Sequence, residues 1–558
     1  MCALRIHLIF ATQLMNQINQ FISTPEDDLL QLSIQGAVDA SERKDMLATI
    51  DALSTALALE PKRADLWHYL GVAYAQLQVW SACITSLEAA LALEPDRVRA
   101  QCVMASALYH VGQHGRAIAL IDDACRRGVP GIFWAMRASI HGHTNRDPAH
   151  TLRVYQDWGR RFADPLTRKA KPLVVKDRSP RKRLKVGYVT ADFREHSVAF
   201  FMHPVLCHHN PDAVEIHVYS SGKRDAFTDI IQQSVPHWHE VADVSDEALC
   251  ERIRADGMDV LVDLSGHTTG HRLLAFARRA APVQVTWIGY ALPLGMKAMD
   301  YRLLDHSVAP LGHEKYYSET LFRLPYSASY APPNYAPLCE QPPLLRNGYP
   351  TLISLNSSTK ITDAMLALWA RILQECPDAR LIIMVKEGSA DTAQANMQPR
   401  VEAAGMPLER VSVVHQQPLE RFMELGHLAD VMLDTAPISG GTTTLHALWM
   451  GLPVVTLDAE RGVDASSARI LQVTGFEEGV AASEKEYVQK ALQFMGDPAY
   501  LAQRRQIARP QMQACGYMNY AERTQELEQA FQLMWLNYLN GNTHWRDTAT
   551  SLEEALSQ

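Results

Sequence analysis

The sequence predicts a multidomain chain, an all-α repeat region leading into two successive α/β halves, on three observations. The hexapeptide ALALEP occurs at Ala56–Pro61 and again, 34 residues on, at Ala90–Pro95. Short β-rich runs separated by helix-compatible segments begin at Leu184, stop at a proline- and tyrosine-rich connection, and start afresh at Thr351. Between two of the later runs stands SGGTTT, Ser439 to Thr444, far richer in glycine and hydroxyls than a plain connection needs. At 558 residues the chain also exceeds what one core supports.

A period of 34 is that of tetratricopeptide repeats. The unit from Ala64 carries Trp67, Leu70, Gly71, Tyr74, Leu87, Ala90 and Pro95, large residues alternating with small ones where two antiparallel helices must approach. One period further, Ala117 and Ala124 keep the small positions, and Cys83 stands where alanine is usual. The repeats are expected over 1–140. Stacked repeats bury one another's apolar faces, and they serve either to bind protein segments or to brace the next domain. From 141 to 183 the chain reads as a helical and then basic, proline-bearing linker, a solvated stretch rather than a nucleic-acid contact.

The strands of the first half, 184–345, are read at LKVGYVT (184–190), VEIHVYS (214–220), MDVLVDL (258–264), VQVTWIG (283–289) and MDYRLLD (299–305). Those of the second, 346–495, are TLISLN (351–356), ARLIIMV (379–385), VSVVHQ (411–416), VMLDT (431–435) and PVVTL (453–457). Strands alternating with helices make Rossmann-like parallel sheets, which bind ligands beyond the carboxyl ends of their strands. From 496 to 558 amphipathic helices, including YAERTQELEQAFQLMWLNYL (520–539), precede a polar tail expected to be mobile.

The bulk numbers exclude several classes. A net charge of −9 gives no support to a nucleic-acid-binding body. Nine cysteines without paired spacing suit neither a disulfide framework nor a zinc site, so a reducing compartment is expected. No run is long enough to span a bilayer, and IHLIFA near the start reads as a helix or disordered start rather than a signal. A cytoplasmic protein with no membrane and no nucleic-acid partner is expected.

Candidate site residues cluster just past strands. Gly440, Gly441, Thr442 and Thr443 sit where a strand gives way to a helix, and can bring backbone N–H groups and hydroxyls to an anion. Lys360 follows another strand of the same half, beside Asn356 and Ser357, and supplies a cation. No P-loop, His-Glu-x-x-His or Gly-x-Ser-x-Gly occurs, and no two aspartates stand two apart, so a diphosphate would be met without an Asp-x-Asp metal clamp. In the first half, His196 precedes an apolar helix, as a cap or as a proton acceptor facing the cleft. The turn DLSGHTTGH adds Asp263, His267, Thr268 and His271, and Gly289 offers a backbone N–H to sugar or phosphate oxygens. His267 and His271 lack the further ligands a metal needs.

The segments LKVGYVTADFREHS, APVQVTWIGYALPLGMKAMDYRLLD and LADVMLDTAPISGGTTTLHALWMGLPVVTL, with the upstream repeats, resemble the O-linked N-acetylglucosamine transferase family, its compact bacterial members above all. The resemblance implies a glycosyltransferase-B fold and metal-free, inverting transfer of sugar from UDP-N-acetylglucosamine to protein serine or threonine hydroxyls. It also implies that no cofactor is needed beyond the donor, and that a nucleotide sugar and a protein or peptide acceptor are the partners. It makes His196 the cleft histidine, Lys360 the diphosphate lysine, Thr442 and Thr443 the threonine pair at the helix start, Gly289 the glycine near the donor sugar, and Thr268 the first-half threonine. His446 falls where the animal enzymes carry a ribose-binding aspartate, Gly441 where they carry a histidine, and the positions lining the base pocket, around Gln417 to Leu425, also differ from theirs. For the proton, His196, the donor's phosphate and a water relayed towards Asp263 all stay open. Two other readings remain: a protein O-fucosyltransferase using GDP-fucose, and a repeat-based scaffold with an inactive transferase domain.

Overall fold

The computed structural model describes residues 25–145, 147–305, 308–309, 311–385, 389–458 and 466–541. The IHLIFA start and the tail beyond 541 lie outside them. Two compact units form. One gathers the helices up to Thr144 with Leu355–Leu373 and Arg380–Gln417; the other gathers Asn145–Ser354, Gln374–Ala379 and the chain from Pro418 onward.

In the first unit, helices Pro25–Glu42, Met46–Leu59, Ala64–Gln76, Trp80–Leu93, Val98–His110, His114–Arg126 and Gly131–Thr144 pack as successive neighbours. The small residues of the repeat pattern explain how. A Cβ at Gly71 would lie 2.6 Å from Leu87 Cγ, so only glycine lets these two helices close. Cys83, Leu87 and Ala90 are fully buried at the same seam, and Trp67 anchors the unit by donating its indole N–H to the Pro61 carbonyl at 2.8 Å. The helical region runs on past residue 140, through Pro148–Trp158 to Arg168, in the second unit. There the basic stretch that follows lies along the protein, with Lys182 paired to Asp259 at 2.7 Å.

The first sheet has strands β1 (Leu184–Thr190), β2 (Val214–Ser220), β3 (His237–Glu240), β4 (Val260–Asp263), β5 (Val283–Thr286), β6 (Tyr301–Asp305) and β7 (Thr320–Leu324). All pair in parallel in the order β3-β2-β1-β4-β5-β6-β7. The second sheet has β8 (Thr351–Ser354), β9 (Arg380–Met384), β10 (Val411–Val414), β11 (Val431–Leu433), β12 (Val454–Leu457) and β13 (Val480–Ala481), in the order β10-β9-β8-β11-β12-β13. Both orders are Rossmann-like, with a reversal beside the first strand of each half, between β1 and β4 and between β8 and β11. Continuous apolar strands such as β1 and β4 are buried because a parallel sheet is covered on both faces; Val186, Tyr188, Val260 and Val262 are wholly inaccessible.

β3, β7 and β13 do not stand out in the sequence. β3 is the polar edge sequence HWHE, β7 carries the buried Arg323, and β13 is two residues long. The Tyr520–Leu539 helix forms where its pattern predicts, and packs on the first half: Leu527, Ala530, Phe531, Met534 and Trp535 join the core built by Tyr188, Val262 and Val285. Among the described residues no helix is long and apolar enough to cross a membrane, and none of the eight described cysteines is joined in a disulfide.

Candidate functional site

The same device terminates β4 and β11. Asp263 at the end of β4 is 1% exposed and accepts hydrogen bonds from the Ser265 and Gly266 N–H groups at 3.2 and 3.0 Å. The Thr286 hydroxyl on the neighbouring strand donates to it at 2.9 Å. Asp434, just past β11, is fully buried; it accepts from the Gly440 N–H at 2.8 Å and from the Thr456 hydroxyl on β12 at 2.7 Å. In each half a buried carboxylate folds a glycine turn back over the strand end. Burial pushes the Asp263 carboxyl up to about 6, against the hydrogen bonds that favour its charge. Both Asp263 oxygens accept hydrogen bonds within the protein, so the carboxylate holds its turn in shape.

The turn after β11 is drawn tight around its hydroxyls. Ser467 donates to the Gly440 carbonyl at 2.8 Å and shares a 2.6 Å bond with Thr444, while its N–H reaches Ser439 Oγ at 3.2 Å. A Cβ at Gly440 would lie 2.5 Å from Thr444 Oγ1, so glycine is needed there; at Gly441 nothing stands within 4 Å. The Thr442–Trp449 helix then starts without a side-chain cap, and Gly441, Thr442 and Thr443 are half-buried, open on one side. Uncapped first-turn N–H groups with the positive end of the helix dipole make an anion seat. Asp225, Ser245, Ser483 and Asp497 cap other helices of the two halves, whereas the Leu419–Glu424 and Tyr520–Leu539 helices also start without a side-chain cap.

His196 turns out to be a cap. It sits in extended backbone at the start of the Ser197–His208 helix, and its Nδ1 accepts the Val198 N–H at 3.3 Å. In a neutral ring the proton then resides on Nε2, so the imidazole presents a donor; acting as a base requires release of Val198. The turn carrying it is held from below. Thr228 donates to the Phe193 carbonyl at 2.8 Å, and Asp225 accepts the Glu195 N–H at 2.8 Å.

Gly289 does not offer its N–H to a ligand, because that group is donated to the Trp287 carbonyl at 2.6 Å. A side chain at 289 would collide with the Leu264 carbonyl, so glycine lets the turn after β5 lie against the turn after β4. Beside it, Ile288 has φ +42°, a strained conformation for a β-branched residue that sequence pattern gives no sign of. Thr268 is half-buried and donates to the Ser265 carbonyl at 2.7 Å. His267 is a core residue rather than a metal ligand. Its Nε2 bonds the Leu294 carbonyl at 2.9 Å, Tyr155 and Trp158 enclose the ring, and burial pushes it down to about 3.

His446, expected at a ribose, is enclosed. It is 5% exposed, shares a 2.6 Å bond between Nδ1 and the Tyr330 hydroxyl, and is ringed by Phe200, Tyr330 and Phe422. Burial pushes it down to about 3. Tyr330 comes from the connection between the halves, which the sequence marks only as a linker.

The remaining candidates lie in the first unit. Asn356 is 1% exposed, within the protein rather than on its surface, and Ser357 shares a 3.1 Å bond with Thr359. Lys360 is half-buried at the end of a 3-10 turn, Ser358–Lys360, that packs on the repeat helix Val98–His110. Its charge helps burial push His143 of the last repeat helix down to about 4. Arg400 clamps the chain just beyond, donating to the Ile361 carbonyl at 2.7 Å and to Asp363 at 2.9 Å. Gly112 of the repeats, at φ +75°, leaves room for that guanidinium. A cavity of about 670 Å³ lined by Val111, Gly112, Leu366, Asn396 and Arg400 lies alongside. Gln417 donates to the His415 carbonyl at 3.1 Å. β8 and β11 are parallel neighbours, and the Lys360 and Gly440 turns each follow the carboxyl end of one of them.

Two Rossmann-ordered sheets with glycine turns at their strand ends, preceded by a helical repeat region, define a glycosyltransferase-B fold. The pattern of glycosyl transferase family 41 matches residues 167–329 and 351–527. A Thermobaculum terrenum O-GlcNAc transferase mutant superposes with a TM-score of 0.83 at 32% identity, covering 93% of this chain and all of that one. The tomato (Solanum lycopersicum) protein named probable UDP-N-acetylglucosamine–peptide N-acetylglucosaminyltransferase SPINDLY is 34% identical over 400 residues, 70% of this chain and 42% of its own length. The Arabidopsis thaliana protein of that description named SEC is 27% identical over 398 residues, 68% of this chain and 40% of its own. The chain belongs to glycosyl transferase family 41. It spans less than half the length of these plant relatives.

Proposed function

We propose that this chain transfers N-acetylglucosamine from UDP-N-acetylglucosamine to serine or threonine hydroxyls of proteins, with inversion and with no metal in the transfer step, in the cytoplasm. The observation that carries the proposal is the uncapped, half-open first turn of the Thr442–Trp449 helix at the carboxyl end of β11. A departing nucleoside diphosphate needs positive potential where its charge grows, and first-turn N–H groups supply it with no reorganisation. Thr442 and Thr443 add hydroxyl donors, and Lys360 adds a full charge. Preorganised donors of this kind contribute about 3–4 kcal/mol each to a transition state.

The reacting hydroxyl attacks the anomeric carbon opposite the leaving diphosphate. His196, with its proton on Nε2, donates to an oxygen of donor or acceptor and orients it. The donor's own phosphate is then the better proton acceptor. Asp263 fixes the turn bearing Thr268, and Gly289 keeps the next turn pressed against it. Gln417 lies towards the base, and His446 shapes the seat from within. The repeats brace the Lys360 turn and guide the acceptor protein.

Calorimetric titration with UDP and with GDP tests the donor. UDP binding without GDP binding is expected, and the reverse would move the donor to GDP-fucose. Labelled UDP-N-acetylglucosamine with a peptide library should yield glycopeptide; no transfer at all would leave a repeat scaffold. Lys360→Ala should lower turnover about 100- to 1000-fold with an unchanged circular dichroism spectrum, and near-normal rates would remove the lysine from the reaction.

A further inference from the structure

Away from the strand-end turns, the β2–β3 edge of the first sheet gathers three histidines and two carboxylates. We propose that it holds a divalent transition-metal ion of the zinc class on His217, His239 and Asp256. The register pairs His217 with His237 and Tyr219 with His239, so strand alternation places Glu215, His217 and Tyr219 of β2 and His237 and His239 of β3 on one face. The Asp246–Asp256 helix ends over that face. One ligand atom each from His217, His239 and Asp256 lie within 4.8 Å of one another. Zinc holds such ligands about 2.0–2.2 Å away, so closing on the ion takes side-chain shifts of about 1 Å.

The surroundings are those of a ligand set. His217 Nδ1 faces His239 Nε2 at 3.2 Å, and its Nε2 faces Glu215 Oε1 at 3.1 Å. With Nδ1 on the metal, Nε2–H donates to that carboxylate, the outer partner that metal-bound imidazoles almost always have. The Tyr219 hydroxyl donates to Asp256 at 2.7 Å, and its ring stacks on His239 with centroids 4.8 Å apart, fixing the imidazole plane. Two imidazoles and a carboxylate leave a fourth position for water. His217, Glu215 and His237 form an overlapping triad, but His237 is exposed and Arg183 and Lys185 already stand 3.3 Å from the Glu215 oxygens.

Without an ion the same groups form a chain of hydrogen bonds, from Arg252 to His239 Nδ1 at 2.8 Å and on through His217 to Glu215. Binding requires His239 to carry its proton on Nδ1, so the exposed Arg252 side chain must swing away. The ion would tie the edge strand to its neighbour and to the helix end, closing an edge that otherwise invites pairing with another chain. It takes no part in sugar transfer.

The test uses the full chain without a histidine tag, stripped with EDTA, exchanged into chelator-free buffer and titrated with Zn²⁺ by equilibrium dialysis. Co²⁺ absorption provides a second readout. Binding of one Zn²⁺ per chain and a tetrahedral cobalt band are expected. His239→Ala should weaken binding about 100-fold or more, Glu215→Gln about 10- to 100-fold, and His237→Ala should leave it unchanged. Melting curves confirm that each variant is folded. The assignment is overturned if the native chain takes up no zinc at about 100 μM, a level a structural site exceeds easily. It is equally overturned if binding survives His239→Ala, or if it is lost in His237→Ala.

Discussion

Replacing His446 with glutamine tests whether burial governs that position. The imidazole is pushed from 6.5 down to about 3 by desolvation alone, so in the folded protein it stays neutral down to about pH 3. The unfolded chain takes up its proton below 6.5. Between those values the unfolded state binds one proton more at this site, and stability falls as pH falls, by about 1.4 kcal/mol per unit. From pH 7 to pH 4 the loss is about 3 kcal/mol. Glutamine does not titrate and keeps an acceptor for the Tyr330 hydroxyl, which limits its penalty at pH 7 to about 1.5 kcal/mol. The native chain should therefore be the more stable at pH 7 and the less stable at pH 4, the two curves crossing between. Urea midpoints by tryptophan fluorescence across that range measure it. His68 and His267, pushed to about 3, and His114 and His143, pushed to about 4, act with the same sign in both proteins and cancel. Asp263, raised to about 6, works the other way, its contribution falling as pH rises from the ordinary carboxylate value, and cancels too. Parallel curves with a constant offset would refute the reasoning.

Gly289→Ala puts a methyl into the Leu264 carbonyl; a loss of more than about 3 kcal/mol is expected from the combined strain and turn displacement, read as a lowered melting temperature, and an unchanged one would refute the close approach. Arg400→Met removes the donor to the Ile361 carbonyl, with an expected loss of about 1–3 kcal/mol; its exposed partner Asp363 adds little. Steady-state kinetics should show reduced kcat as the Lys360 turn loosens, and unaltered kinetics would discard the brace. Thr442→Val with Thr443→Val should weaken UDP binding about 10- to 100-fold through loss of two hydroxyl donors; calorimetry giving native affinity would take these hydroxyls out of the anion seat.

How far the sequence reads depends on whether a residue acts through local pattern or through distant neighbours. The 34-residue repeat, the main strands and the Thr442 and Tyr520 helix starts are local, and each appears where its pattern places it. β3 and β7 are not legible, because a polar edge strand and a strand with a buried arginine lack the apolar run that marks their neighbours. At the site, the glycine turns after β4 and β11 can be read, but their shared construction, an aspartate bound to a threonine on the next strand, pairs residues more than twenty positions apart. Residue type alone leaves His196 open between cap and base, and only the Val198 contact decides its tautomer. His446 and Gly289 look available by residue type, a polar and a flexible residue beside candidate turns, but the Tyr330 hydroxyl, 116 positions away, holds the His446 ring, while Trp287 takes the Gly289 N–H and Leu264 packs against its backbone.

The docking of the Tyr520–Leu539 helix on the first sheet has a bearing on how the molecule is made. Glu528 accepts bonds from His209, 319 positions earlier, and from the Asn210 N–H, and Trp535 seals hydrophobic side chains translated long before it. A nascent first lobe emerging from the ribosome thus keeps an apolar trough uncovered throughout synthesis of the second. Its completion waits on the arrival of that late helix, so premature termination between Leu324 and the start of the Tyr520–Leu539 helix would yield a sticky intermediate rather than a smaller working domain.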